Sequence, residues 1–175
     1  MQGVDLRDLL RESILGSRLK LLGGVEPGTA ILSAGEDEPV VITPMDEEAL
    51  NEAKIVFLAG AAELNQRAFA LIRPGPQAPV VIDLTRTLDD HAAARVRAPM
   101  AEPEGTAVDS YVHVIAHPAA IMMAALLQRL GTAGSVRRAV VTAFEPASER
   151  GMEGVEELQQ QTVNLLSFKT QPKAI

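Results

Sequence analysis

The run Val80-Val81-Ile82-Asp83 constrains this chain more than any other stretch. Its apolar residues follow one another without polar alternation, so a strand built from them must be covered on both faces, the habit of a parallel sheet. Ala53 to Ala59 repeats the pattern, with Lys54 at the entrance and Ile55-Val56-Phe57-Leu58 inside. Tyr111 to Ala116 is a third such strand. Helical stretches alternate with these strands. Glu63 to Ile72 is helical up to the break at Pro74-Gly75-Pro76, and Pro118 to Leu130 is a helix with proline in its first turn, where a missing N–H costs nothing. Alternating apolar strands and helices imply an α/β fold with a mainly parallel sheet.

The flanking segments are read in the same way. Leu6, Leu9, Leu10, Ile14 and Leu15 recur at helical spacing between Arg7, Asp8, Arg11 and Glu12, and that helix stops near Gly16. Lys20 to Leu22 is a short strand ending at Gly23-Gly24, and Glu26-Pro27-Gly28 is a turn. Thr29 to Leu32 and Pro39 to Thr43 form a hairpin across Gly35-Glu36-Asp37-Glu38. Asp89 to Gly105 has no strong period and reads as loop. Val136 to Phe144, β-branched at Val136, Val140, Val141 and Thr142, predicts a long strand, and Gly151 to Leu166 a final helix.

Composition excludes several functions. A formal net charge of -7 argues against binding a phosphate backbone, and 3% aromatic residues leave few surfaces on which bases could stack. No nucleic-acid partner is expected. The chain has no cysteine, so disulfides, thiolate metal sites and thiol catalysis are all ruled out. The longest apolar stretch, Ala119 to Leu127, is far short of the ~20 residues that span a bilayer, and Met1-Gln2-Gly3-Val4-Asp5 has neither the basic start nor the apolar run of a secretion signal. No membrane association and a cytoplasmic location are the expectations.

Val114-Ile115-Ala116-His117-Pro118-Ala119-Ala120-Ile121 runs from strand through a proline turn into an apolar helix. It resembles the active-site turn of the aspartate-semialdehyde dehydrogenases, where an Ala-Asn-Pro-Asn-Cys segment puts a nucleophilic cysteine at a helix N-terminus. Further pieces follow in the family's order. Gly3-Val4-Asp5-Leu6 is similar to the last glycine of a dinucleotide fingerprint, Phe57-Leu58-Ala59-Gly60 to a strand ending in a small-residue turn over the cofactor, and Val81-Ile82-Asp83-Leu84-Thr85 to a Val-Ile-Asp-Asn-Ser segment. Val141 to Glu145 and Gly151-Met152 with Glu156-Glu157-Leu158-Gln161-Thr162 complete the series.

The resemblance is to a cysteine-less branch of that family. It implies a Rossmann-like mainly parallel sheet with flanking helices, plus the start of an α+β catalytic and dimerisation domain. Residues 1–117 would be an incomplete nucleotide-binding domain and 118–175 the beginning of the second. It also implies NADP as cofactor, NADP-linked reductive dephosphorylation of an aspartyl phosphate, a homodimer, and cofactor contacts at Gly3, Ala59, Gly60 and Thr85.

The departures from the family bear on chemistry. Ala120 stands in the cysteine's position and cannot form the thioester on which the reaction depends. Glu145 stands for a glutamine that orients substrate, and Asp89 for a substrate-phosphate arginine, with Arg86 nearby. Gly23-Gly24-Val25-Glu26 supplies no cation for a 2'-phosphate. The strand and glycine turn before Gly3, and the family's acid/base histidine and carboxylate-binding arginine, have no counterpart, so the expected form is fragment-like and inactive. Its small-molecule substrate is in question. The rival is a non-enzymatic dimeric paralogue acting as an interaction module.

Plainer readings apply to the other polar residues. His117 aligns with a turn-shaping asparagine and is expected to make one structural hydrogen bond, and His113 to be a satisfied, semi-buried strand residue. His91 and His113 lack metal-ligand spacing with carboxylates, and Glu36-Asp37-Glu38 lacks the order of a calcium loop, so no metal is expected. The helix around Met122-Met123 and Ala124-Ala125-Leu126-Leu127 is apolar nearly all round, which predicts burial in the core or at a subunit contact. Glu149-Arg150 would crowd the family's pocket, and Glu153, Glu156 and Glu157 read as a solvated helix face.

Overall fold

The computed structural model describes residues 2–14, 16–24, 31–34 and 39–167. The turns expected at Glu26-Pro27-Gly28 and Gly35 to Glu38 lie outside the described residues. The chain divides into two compact units, Met1–Ser135 and Val136–Ile175.

In the first unit the elements run α1 (Gln2–Arg11), a 3-10 turn (Gly16–Arg18), β1 (Leu22–Gly23), β2 (Ile31–Ala34), β3 (Pro39–Pro44), α2 (Glu47–Glu52), β4 (Ile55–Leu58), α3 (Ala62–Leu71), β5 (Val80–Asp83), β6 (Ala94–Arg97), β7 (Val112–Ile115) and α4 (Pro118–Ala133). Strands β4 to β7 form a four-stranded sheet of order β4-β5-β7-β6 in which every pairing is parallel. The expected α/β architecture is therefore present. A smaller sheet, β1-β3-β2, contains the expected hairpin, with Ile31 opposite Ile42 and Ala34 opposite Pro39.

Register explains the core. Val56, Val81 and Val112 stand side by side across the parallel sheet, and Leu58, Asp83 and Val114 form the next row on the same face. All six are buried. Leu50 from α2, Ala68 from α3, Ile72 and Leu88 cluster with the apolar members of these rows. Burying each such Val, Leu or Ile contributes roughly 1.5–3 kcal/mol. Asp83 is the exception in the pattern, a carboxylate in an apolar row with 0% of its surface exposed.

Two elements escape the periodicity of the sequence. Strand β6 lies within the segment read as loop, pairing with β7 from Ala94 beside Val112 to Arg97 beside Ile115. It is an edge strand with arginines at 95 and 97, the charged dressing that protects an open edge and hides the apolar signal. Helix α2 begins at Asp46, whose Oδ1 accepts the Ala49 N–H at 2.7 Å, with Glu47 and Glu48 in its first turn.

Helix α4 has no buried residue, contrary to the expectation of core burial: Met122, Leu126 and Leu130 are exposed along one side. A subunit contact is the part of that expectation that remains.

The second unit holds a 3-10 turn (Ala147–Arg150) and α5 (Gly151–Leu166), the final helix with the bounds read from the sequence. Gly154 lies so close to the Ala147 carbonyl that a side chain there would collide with it. The expected strand at Val136 to Phe144 is not formed: among the described residues no strand pairs with it, and a β-propensity run becomes a strand only beside a partner.

Candidate functional site at the carboxyl edge of the parallel sheet

In open parallel sheets ligands bind in the crevice outside the carboxyl ends of the strands. Here β4 ends at Leu58 and runs into Ala59-Gly60-Ala61 before α3, β5 ends at Asp83 and runs into Leu84-Thr85-Arg86-Thr87, and β7 runs through Ala116 and His117 into α4.

The turn after β4 and the loop after β5 are joined by one buried side chain. Asn65, 4% exposed on α3, accepts the Gly60 N–H on Oδ1 at 3.1 Å and donates from Nδ2 to the Gly60 carbonyl at 3.0 Å. The same Nδ2 donates to Thr85 Oγ1 at 2.7 Å. A Cβ on Gly60 would lie 3.3 Å from Asn65 Oδ1, tighter than ordinary contact.

Asp83 anchors the other side of this network. Its Oδ1 accepts from the Thr85 N–H and Thr85 Oγ1, both at 2.8 Å, and its Oδ2 from the Leu88 N–H at 2.8 Å. The single hydroxyl proton of Thr85 is thus committed to the carboxylate. In the 2.7 Å pair of hydroxyls, Thr87 must then be the donor and Thr85 the acceptor.

Of the cofactor residues expected from the resemblance, Ala59, Gly60 and Thr85 come together at this edge, and Gly3 lies in the first turn of α1. Ala120 is in the first turn of α4, exposed, its N–H donating to the His117 carbonyl at 2.8 Å. Glu145 belongs to the second unit. Asn65 and Thr87 were missed by the sequence reading. An asparagine on an amphipathic helix gives no signal that it faces inward, and only the packing of α3 against β4 and β5 turns it toward Gly60.

Acidic groups outnumber basic ones at this edge, where Glu63, Asp83 and Asp89 stand with Arg86. Arg86 adopts a positive φ of 62° and its Nε donates to Asp89 Oδ2 at 3.0 Å. Glu63 is exposed in the first turn of α3, whose N-cap, Ala61, makes no side-chain capping bond. At the carboxyl end of the edge strand β6, Glu102 bridges Arg97 and the Ala98 N–H. The Ala98 hydrogen bond holds its carboxyl below the usual range, opposed by desolvation and aided by Arg97.

The histidines have structural surroundings. His117 caps α4, its Nδ1 accepting the Ala119 N–H at 3.3 Å. His91 accepts from the Ala93 N–H and packs edge-on against Phe69 at 4.8 Å. His113 corrects its expectation: it is buried, and among the described residues neither ring nitrogen has a hydrogen-bond partner. In the sheet it stands between Ile82 and Arg95. Among the described residues no group of His, Asp and Glu is placed to hold a metal ion, and no helix is long and apolar enough to cross a membrane.

No protein-family model matches the chain, and no curated protein sequence matches it. The fold is similar to a crystal structure of aspartate semialdehyde dehydrogenase II from Vibrio cholerae complexed with ASA, with a TM-score of 0.66 at 20% identity. That likeness covers 98% of this chain and 51% of the other, so the chain spans about half the length of the protein it matches. The protein thus has a semialdehyde dehydrogenase-like fold, built on a Rossmann-like parallel sheet flanked by helices.

Proposed function

We propose that this chain is a semialdehyde dehydrogenase-like protein that does not carry out thiol-dependent chemistry. The observation that carries the reading is Ala120 in the first turn of α4, directly after the strand and proline turn that would present a nucleophile. A methyl group cannot attack an aldehyde or acyl carbon, and no cysteine exists elsewhere in the chain to take its place. His117, which spends Nδ1 on the helix cap, is a turn residue in this reading. The cofactor of the resemblance is NADP, and Gly23-Gly24-Val25-Glu26 supplies no cation for its 2'-phosphate. The test is a turnover assay with aspartate semialdehyde, phosphate and either nicotinamide cofactor, on protein free of host enzyme. No turnover above background is expected, and measurable turnover sinks the reading.

A second reading, a homodimeric interaction module, is favoured by apolar surface. Met122, Leu126 and Leu130 follow one another at four-residue spacing on one side of α4 and are exposed. In the second unit Val140 and Phe144 are 80% and 93% exposed. Contiguous apolar surface in water costs roughly 25 cal/mol per Å², and a twofold pairing of identical chains is the commonest way to cover it.

A further inference from the structure

We infer that Val136 to Phe144 pairs as an antiparallel strand with the same segment of a second copy of this chain, the twofold axis passing at Val140. The inference deepens the homodimer reading and rests on it.

The segment is a strand without a neighbour. Among the described residues, no backbone N–H or carbonyl from Val136 to Phe144 has a backbone partner, and every residue of the segment is exposed. Val136, Val140, Val141 and Thr142 are β-branched, and neither glycine nor proline interrupts the run. Such a row of open donors and acceptors is a template for another strand. Ala139 to Phe144 carries no charge, and stretches of that kind also stack into open-ended sheets.

Arg137 and Arg138 decide which pairing is available. In a parallel, in-register stack each arginine would face its own copy, and like charges directly opposite are destabilising. An antiparallel pair about Val140 sets Arg137 beside Ala143 and Arg138 beside Thr142, so no two cations meet. The same register sets Val136 beside Phe144 and Val140 beside its own copy, all on one face, because side chains alternate with a period of two. Val140 and Phe144, the most exposed apolar residues of the segment, thereby gain apolar neighbours.

Neighbouring registers do worse. An axis at Ala139 sets both arginines against valines. An axis at Val141 gains an exposed Arg137–Glu145 pair, which contributes little, and sets Val136 against Pro146, which has no N–H to give. A two-stranded ribbon is marginal by itself in water. Helix α5 of the same unit offers it cover, since Leu158 and Leu165 lie two turns apart on one side and are exposed.

The chain has no cysteine, so one introduced thiol can bridge only to its own copy. Directly opposite residues of an antiparallel pair have Cα atoms about 4.5–5.5 Å apart, within disulfide reach, and residues displaced along the strands fall outside it. With oxidised glutathione and high micromolar protein, Val140→Cys should bridge about tenfold faster than Val141→Cys. In the unaltered chain, every second amide from Arg137 to Ala143 should exchange about tenfold more slowly with solvent than the amides between them, and dilution should abolish the difference. A dimer in which Val141→Cys bridges as fast, or in which the amides show no alternation, would overturn the inference and leave the homodimer reading standing. A clean monomer would overturn both.

Discussion

Asn65 Nδ2 lies 2.7 Å from Thr85 Oγ1, and through that contact the turn after β4 and the loop after β5 become one hydrogen-bonded body. The partner of Thr85 on its other side is Asp83, a fully buried carboxylate on the core face of the sheet. The loop thus folds back to satisfy a charge that the strand has carried into an apolar row.

Removing that charge should therefore loosen the loop. Asp83→Ala deprives the Thr85 N–H, the Thr85 hydroxyl and the Leu88 N–H of their acceptor. Charge-assisted bonds and newly unsatisfied donors place the loss at about 3 kcal/mol. Urea unfolding checks this, and a loss below about 1 kcal/mol would mean that water satisfies the loop without strain.

Glu102 makes stability depend on pH in the acid range. Its carboxyl is held low by the Ala98 N–H first, with a further contribution from Arg97, so its folded-state pKa lies below its unfolded value. A depressed carboxyl contributes stability that is fully present above the unfolded pKa and is lost as pH falls through the folded one. Unfolding curves between neutral pH and pH 3 should show Glu102→Gln losing stability at neutral pH and converging on the unaltered protein at the acid end. Parallel curves would count against the bridge.

Helix α2 depends on its cap. Asp46→Ala removes the acceptor of the Ala49 N–H and should cost about 1 kcal/mol. Asp46→Asn, which can still accept, should recover most of that loss. Denaturant midpoints of the two variants separate capping from a simple charge effect.

The exposed apolar side chains give the interaction-module reading its test. A dimer is expected in light scattering behind a sizing column, weakened by Val140→Lys, which puts a charge on an 80% exposed apolar site without touching the buried core. A clean monomer at high micromolar concentration would refute it.

What the sequence determined by itself was the part governed by local pattern. The unbroken apolar runs at Ile55 and Val80 specify parallel strands, though only alternate residues of each are fully buried and Ile55 is exposed, so the expected coverage of both faces is not met. Pro118 after His117 starts a helix, because backbone geometry acts on consecutive residues. The absence of a thiol at position 120 is likewise visible in the letters alone. Tertiary structure decided the rest. Val136 to Phe144 has the composition of a strand and is not one, since strands need a neighbour that composition does not supply. Ala94–Arg97 has the composition of a loop and is a strand, since β7 offers it an edge. The joint among Gly60, Asn65, Asp83 and Thr85 gathers residues from β4, α3 and β5, and hydrogen bonds between groups 20 positions apart exist only once the sheet has set their distances.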